Sequence, residues 1–188
     1  MAGASEILTE RNIAFIEAQR LFFVATAAAD GRVNVSPKGM DTLRILGENR
    51  IAWLNLSGSG NETAAHLAEH DRITLMFSAL EGRALIVRVY GHAKAIHPRD
   101  SQWNELISLF PTLPGARQII DVTVELVQQS CGTGVPRFEL VDDRGPTELL
   151  PFYDKMGEDG VKAYWAKKNQ TSIDGKPTHI VAADQTAN

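Results

Sequence analysis

The sequence predicts a mainly β fold with helices added (α+β), its strands antiparallel and arranged as a barrel or sandwich. Three observations lead there. Six or seven short apolar segments fall within about 110 residues of the 188-residue chain. Turn signals such as Asp30-Gly31, Gly47-Glu48-Asn49 and Glu81-Gly82 separate several of them, as hairpins require. The chain is 44% hydrophobic and has one cysteine, Cys131, so an apolar core rather than a disulfide must hold it together.

Thr9 to Gln19 reads as a helix that Thr9 caps, with Leu8 and Ile13 at the flanking staple positions. Leu21 to Ala27 (LFFVATA) is a buried strand, and Val33 to Ser36 begins the returning one. Ile51 to Leu56 (IAWLNL) is the next. Ser57-Gly58-Ser59-Gly60 is too flexible for a strand interior, and Asn61 to His70 then reads as a short helix with Asn61 as cap. Strands follow at Ile73 to Ser78, Ala84 to Tyr90, Gly91 to Ile96 and Val122 to Gln128. Arg99 to Phe110 reads as a helix opened by Asp100. Beyond Cys131 the composition changes. Residues 146–169 look helical, interrupted near Gly157 and Gly160, and residues 182–188 look frayed. This part has too few apolar residues for a second core, so residues 1–135 are expected to form the domain and 136–188 a helical C-terminal extension.

A net charge of −4 and a pI near 5.7 argue against nucleic acid as a partner. No apolar run reaches the about 18 residues of a membrane span, and the first residues lack a signal-peptide pattern. A cytoplasmic location is the expectation.

Four features could carry chemistry. The strand–SGSGN–helix passage places backbone N–H groups and the positive end of a helix dipole beside small residues. Ser57, Ser59 and Thr63 add hydroxyls and Asn61 an amide, which together suit a phosphate group; a capped helix after a flexible loop has the same pattern. In Ser36-Pro37-Lys38-Gly39-Met40, Pro37 disturbs strand pairing and Lys38 offers a point charge for a phosphate or an electron-rich ring. The same residues also describe an edge strand with a solvated lysine. His66-Leu67-Ala68-Glu69-His70 matches a zinc-peptidase pattern, but the helix is short and no third ligand is evident, so no metal is expected. Cys131 has no Cys-x-x-Cys partner and reads as a small structural residue.

Three stretches resemble the pyridoxamine 5′-phosphate oxidase-like family in their order: FFVATAAADGRVNVSPKGMDTLRIL, IAWLNLSGSGNETAAHLAEHDRITLMFS and ALIVRVYGHAKAI. The resemblance runs from about Ala14 to Val135. It implies a six-stranded antiparallel split β-barrel of the FMN-binding type, working as a homodimer with the cofactor at the interface. By that resemblance Ser36, Pro37, Lys38, Gly39 and Met40 run along the flavin ring, and Asn55, Ser57, Ser59, Asn61 and Thr63 hold the phosphate. Glu62-Thr63 stands where the oxidase carries a basic pair. The implied activity is a flavin-dependent oxidoreductase; the alternative is a non-catalytic carrier or sensor of flavin, deazaflavin or haem.

Overall fold

The structure is a computed structural model that describes residues 3–182. The frayed end expected at 182–188 therefore lies almost wholly outside the described residues. The strands, in chain order, are β1 (Ala4–Ser5), β2 (Leu21–Thr26), β3 (Asn34–Gly39), β4 (Leu43–Gly47), β5 (Arg50–Leu56), β6 (Arg72–Ser78), β7 (Ile86–Ile96) and β8 (Ala116–Ser130). The helices are α1 (Glu10–Glu17), α2 (Glu62–Glu69), α3 (Trp103–Ile107) and α4 (Leu150–Lys168), the last entered through a π-helical turn at Gly145–Leu149.

All pairings are antiparallel, in the order β3-β2-β6-β7-β8-β5-β4, with β1 beside β8. The sheet must curl. β3 and β4 lie at its two opposite ends, yet only Met40, Asp41 and Thr42 join them. A link that short spans roughly 14 Å at most, so the two ends of the sheet face each other across a narrow split. Met40 makes the bend in a left-handed conformation (φ 63°). This is the split barrel that the sequence suggested, with eight strands instead of six. The additions are β1, only two residues long, and β4, which Met40 separates from the strand before it.

Period-two alternation fills the barrel. Phe22 stacks on Phe77 at 5.6 Å and meets Trp53 edge-on at 6.1 Å, with Val24, Leu75, Val87, Val89, Ile120 and Val122 around them. β5 is buried on both faces because its other side, Ala52 and Leu54, packs under α3 with Ile96, Leu106 and Phe110. Leu8 and Ile13 pack on the barrel core and Thr9 caps α1, accepting from the Asn12 N–H at 3.3 Å.

Several boundaries differ from the sequence reading. β3 runs through Pro37, which an edge strand tolerates because the missing N–H has no ladder partner to lose. The two strands expected at 84–96 are one, β7, bent at a register shift between Tyr90 and Gly91. A side chain at Gly91 would sit 2.0 Å from the Thr123 carbonyl oxygen, so the bend demands glycine. The helix expected at 99–110 shrinks to the five residues of α3. α4 has the expected interruption: Gly157 takes φ 69° and ψ 169°.

The C-terminal segment folds back over the barrel. After α4 it forms a tight turn that docks on the 29–32 loop. Asp174 pairs with Arg32, and Lys176 with Asp30 and Glu69 at 2.6 and 2.8 Å. These partners hold the Lys176 ammonium up at about 12. No helix among the described residues is long and apolar enough to cross a membrane.

Candidate functional site

The inward row of β5 is Ile51, Trp53, Asn55, and that of β8 is Val122, Ile120, Gln118. The row is thus apolar until its end, where Asn55 and Gln118 face each other and the amide of Asn55 donates to Gln118 Oε1 at 3.3 Å. From the opposite end of the sheet, Lys38 on β3 reaches across the split. Its ammonium lies 3.4 Å from Asn55 Oδ1 and 5.0 Å from the centre of the Trp53 ring. Burial, then the nearby charge of Arg117, pulls the Lys38 ammonium down to about 8.

Arg117 owes its position to a β-bulge. Asn55 pairs with Gln118 and Leu56 with Ala116, which leaves Arg117 as the extra residue of β8. A bulge re-aims the side chain it carries. Here it turns the guanidinium under the loop that leads into α2, where Nη1 donates to the Gly60 carbonyl and to Asn169 Oδ1, both at 2.9 Å. Arg117 is only 3% exposed, and burial lowers it to about 10, still cationic at neutral pH. Among the described residues neither Lys38 nor Arg117 has a carboxylate within ion-pair distance. Arg117 Nε, Gln118 Nε2 and Asn61 Oδ1 are buried polar atoms with no hydrogen-bond partner among the described residues.

The loop 57–60 is tied down from both sides. Ser57 donates through Oγ to the Gly115 carbonyl and accepts from the Trp165 indole, at 2.8 and 2.7 Å. Asn169 Nδ2 donates to the Gly58 carbonyl at 2.9 Å. Asn61 precedes α2 without a side-chain cap bond, which leaves the N–H groups of the first turn uncapped by it. Ser59 is exposed. Glu62, at the position where the family resemblance implies a basic residue, turns its carboxylate onto the Ile173 N–H at 3.1 Å.

The remaining candidates gather elsewhere. Thr63 Oγ1 accepts from Asn34 Nδ2 at 3.3 Å, and Ser36 donates to Asn34 Oδ1 at 2.9 Å, so both serve a latch between α2 and β3. His66 belongs to the same latch through Thr26 Oγ1 at 3.1 Å. His70 is exposed, and no three metal-ligating side chains gather among the described residues. Pro37 lies outward on β3, Gly39 ends the strand, and Met40 packs its thioether toward Gly145.

Residues 8–131 match the sequence model of pyridoxamine 5′-phosphate oxidase. The chain belongs to the pyridoxamine 5′-phosphate oxidase family. It is 33% identical over 175 residues to the pyridoxamine 5′-phosphate oxidase family protein ustO of Aspergillus flavus, covering 85% of this chain and 70% of that one. Among solved structures, a variant of HupZ from Group A Streptococcus superposes with a TM-score of 0.53 at 18% identity, over 65% of this chain and 99% of that one. A Lactobacillus delbrueckii protein named for pyridoxamine 5′-phosphate oxidase gives 0.53 at 19% identity, over 65% and 94%. At such identities the two structures speak for the fold.

In this member of the pyridoxamine 5′-phosphate oxidase family, the candidate site includes residues that the sequence reading did not single out. Arg117 bonds to the Gly60 carbonyl, Gln118 faces Asn55 at the end of β5, and Trp165 and Asn169 bond to Ser57 and to the Gly58 carbonyl. The first two carried a signal: consecutive polar residues interrupting the run Ala116-Arg117-Gln118-Ile119-Ile120. Trp165 and Asn169 lie beyond the matched stretch, and nothing in their spacing points back to residue 57.

Proposed function

We propose that the chain binds flavin mononucleotide at the barrel split and acts as a flavin-dependent oxidoreductase. The observation that carries this is Lys38: a half-buried lysine, without a carboxylate partner among the described residues, whose ammonium is held over the split against Asn55. A charge in that setting calls for an anionic or electron-rich ligand. Orphaned donors at Arg117 and Gln118 beside it suit a phosphate-bearing molecule. β3 is a sheet edge, so backbone groups of Ser36 to Met40 are available to a flat ring.

In this reading Lys38, Asn55, Ser59 and Asn61 touch the cofactor, with the backbone of Pro37, Gly39 and Met40 along the ring. Ser57, Thr63 and Ser36 act by fixing the surrounding loop and helix, since their hydroxyls are already engaged. The flavin supplies hydride or electron transfer when bound. The protein contributes orientation, exclusion of water and the Lys38 charge.

The proposed assembly is a homodimer. Val35, Ala25, Thr74, Tyr90 and Leu126 align in one row across five neighbouring strands on the outer face. Val35 and Leu126 are exposed apolar residues in that row, a face suited to an identical partner.

The test is the absorption spectrum of the purified protein with mass spectrometry of the released ligand. Flavin mononucleotide supports the reading; deazaflavin, haem or no chromophore with failure to take up added flavin overturns it. Oxidation of reduced nicotinamide or another donor then separates an enzyme from a carrier. A monomeric sedimentation mass with flavin bound would remove the dimer.

A further inference from the structure

We infer that Arg117 is the residue that takes the cofactor's phosphate and that Asn169, from the C-terminal segment, holds its guanidinium ready; this rests on the flavin reading above. The loop before α2 offers hydroxyls, an amide and backbone N–H groups but no cation of its own, and Glu62 sits at its end. The missing charge comes from β8. The bulge at Arg117 turns its guanidinium under the loop at Gly60, instead of leaving it in the regular ladder.

Arg117 is not explained as a structural strut alone. A strut between the Gly60 carbonyl and Asn169 needs two neutral hydrogen bonds, which an uncharged side chain could make. A buried guanidinium pays desolvation for those same bonds and leaves Nε without a partner. Its charge also acts on the half-buried Lys38, so the folded chain brings two cations together with no carboxylate among the described residues within ion-pair distance of either. A phosphate offsets both, and charge-assisted bonds to Arg117 Nε and the amide of Gln118 would use the orphaned donors. The uncapped first turn of α2 faces the same loop.

Asn169 is a positioning residue. It is fully buried, accepts from Arg117 through Oδ1, donates to the Gly58 carbonyl through Nδ2, and accepts from Thr178 Oγ1 through its own carbonyl. One side chain therefore spans guanidinium and loop. Trp165 fixes Ser57 one helical turn earlier. The Asp174–Arg32 pair, the Lys176 ion pairs and the Glu62–Ile173 bond anchor the segment that carries them. The C-terminal segment is in this view a wall of the cofactor site.

The experiment compares flavin mononucleotide with riboflavin, which lacks the phosphate, by fluorescence quenching. The probe set adds inorganic phosphate, read as a rise in Tm at constant ionic strength. The wild-type chain is expected to prefer flavin mononucleotide over riboflavin by at least about tenfold. Arg117→Met should erase that preference and the phosphate-dependent rise in Tm. Arg117→Lys keeps the charge without the fork and should retain part of both; it also serves if the Met variant does not fold. Asn169→Ala should weaken flavin mononucleotide more than riboflavin. An Arg117→Met protein that keeps the wild-type preference overturns the inference and leaves the flavin reading standing. If the wild type binds neither flavin, the flavin reading fails. The anion site then survives only if phosphate still raises Tm in an Arg117-dependent way; without that rise it falls too.

Discussion

The indole Nε1 of Trp165 donates to Ser57 Oγ at 2.7 Å, joining the C-terminal helix to the loop before α2 across 108 positions of sequence. Ser57 passes the connection on to the Gly115 carbonyl. The loop is thus held in place by a residue far outside the barrel.

Trp165→Phe removes that donor and keeps most of the ring. It should lower stability by about 1 kcal/mol, the net worth of one such bond. Ser57→Ala should cost more, about 1–3 kcal/mol, because the indole N–H loses its acceptor and the Gly115 carbonyl keeps only the Ser57 backbone N–H. Urea titrations of the two single variants and the double variant check this. Additive losses would mean that the two side chains do not act as a unit.

Lys38 makes the candidate site sensitive to pH. Its folded-state value of about 8 lies below the ordinary 10.5, so between those limits the unfolded chain binds the extra proton. Stability of the ligand-free protein should therefore rise with pH across that window. Affinity for a phosphate-bearing ligand should move the other way, falling above about pH 8 by up to tenfold per pH unit as the ammonium is lost. Lys38→Met should flatten both profiles. An affinity that is level from pH 7 to 9.5 in the wild type would exclude the contact.

His97 should govern part of the acid response. Burial, followed by the charge of Arg99, depresses it to about 4, and its Nδ1 is buried without a partner among the described residues. It is neutral in the folded chain at pH 6, whereas the unfolded chain takes up a proton below about 6.5. The stability it confers is thus present above pH 6.5 and is lost as pH falls toward 4. His97→Gln should weaken the dependence of the denaturation midpoint on pH in that interval; an unchanged slope would assign the acid response elsewhere.

Gly91→Ala tests the bend in β7. The added Cβ would lie 2.0 Å from the Thr123 carbonyl oxygen, so the two strands must move apart. The expected loss is about 3 kcal/mol, at the upper end for overpacking. Thermal unfolding measures it, and Gly134→Ala, whose Cβ would meet nothing within 4 Å, is the control.

Much of the barrel could be read from the sequence because its strands obey period two and its turns use glycine and aspartate. LFFVATA and IAWLNL became β2 and β5 almost residue for residue. β4 escaped because Met40 bends the chain in a left-handed conformation, which its residue type does not advertise. The lower half of β8 escaped because Arg117 and Gln118 are polar residues in a buried strand. For the candidate site, Lys38, Asn55 and the SGSGN loop were legible as local chemistry. Their meeting with Arg117 and Asn169 was not, since it depends on a bulge and on a chain that returns from 52 positions away.

The three residues between β3 and β4 have a bearing on how the molecule assembles. Neighbours in sequence here occupy the two ends of the sheet order, so each pairs locally, β3 with β2 and β4 with β5, but the two face each other across the split only when β6, β7 and β8 have paired in between. Hairpins such as β6–β7 form from local contacts, whereas the seam that Lys38 crosses depends on the most distant ones. The candidate site is then a property of the closed barrel, because the Lys38–Asn55 contact exists only across the seam. A molecule bound there would act as a clasp on the seam: it should slow unfolding and raise the apparent stability in proportion to the logarithm of its concentration over its Kd.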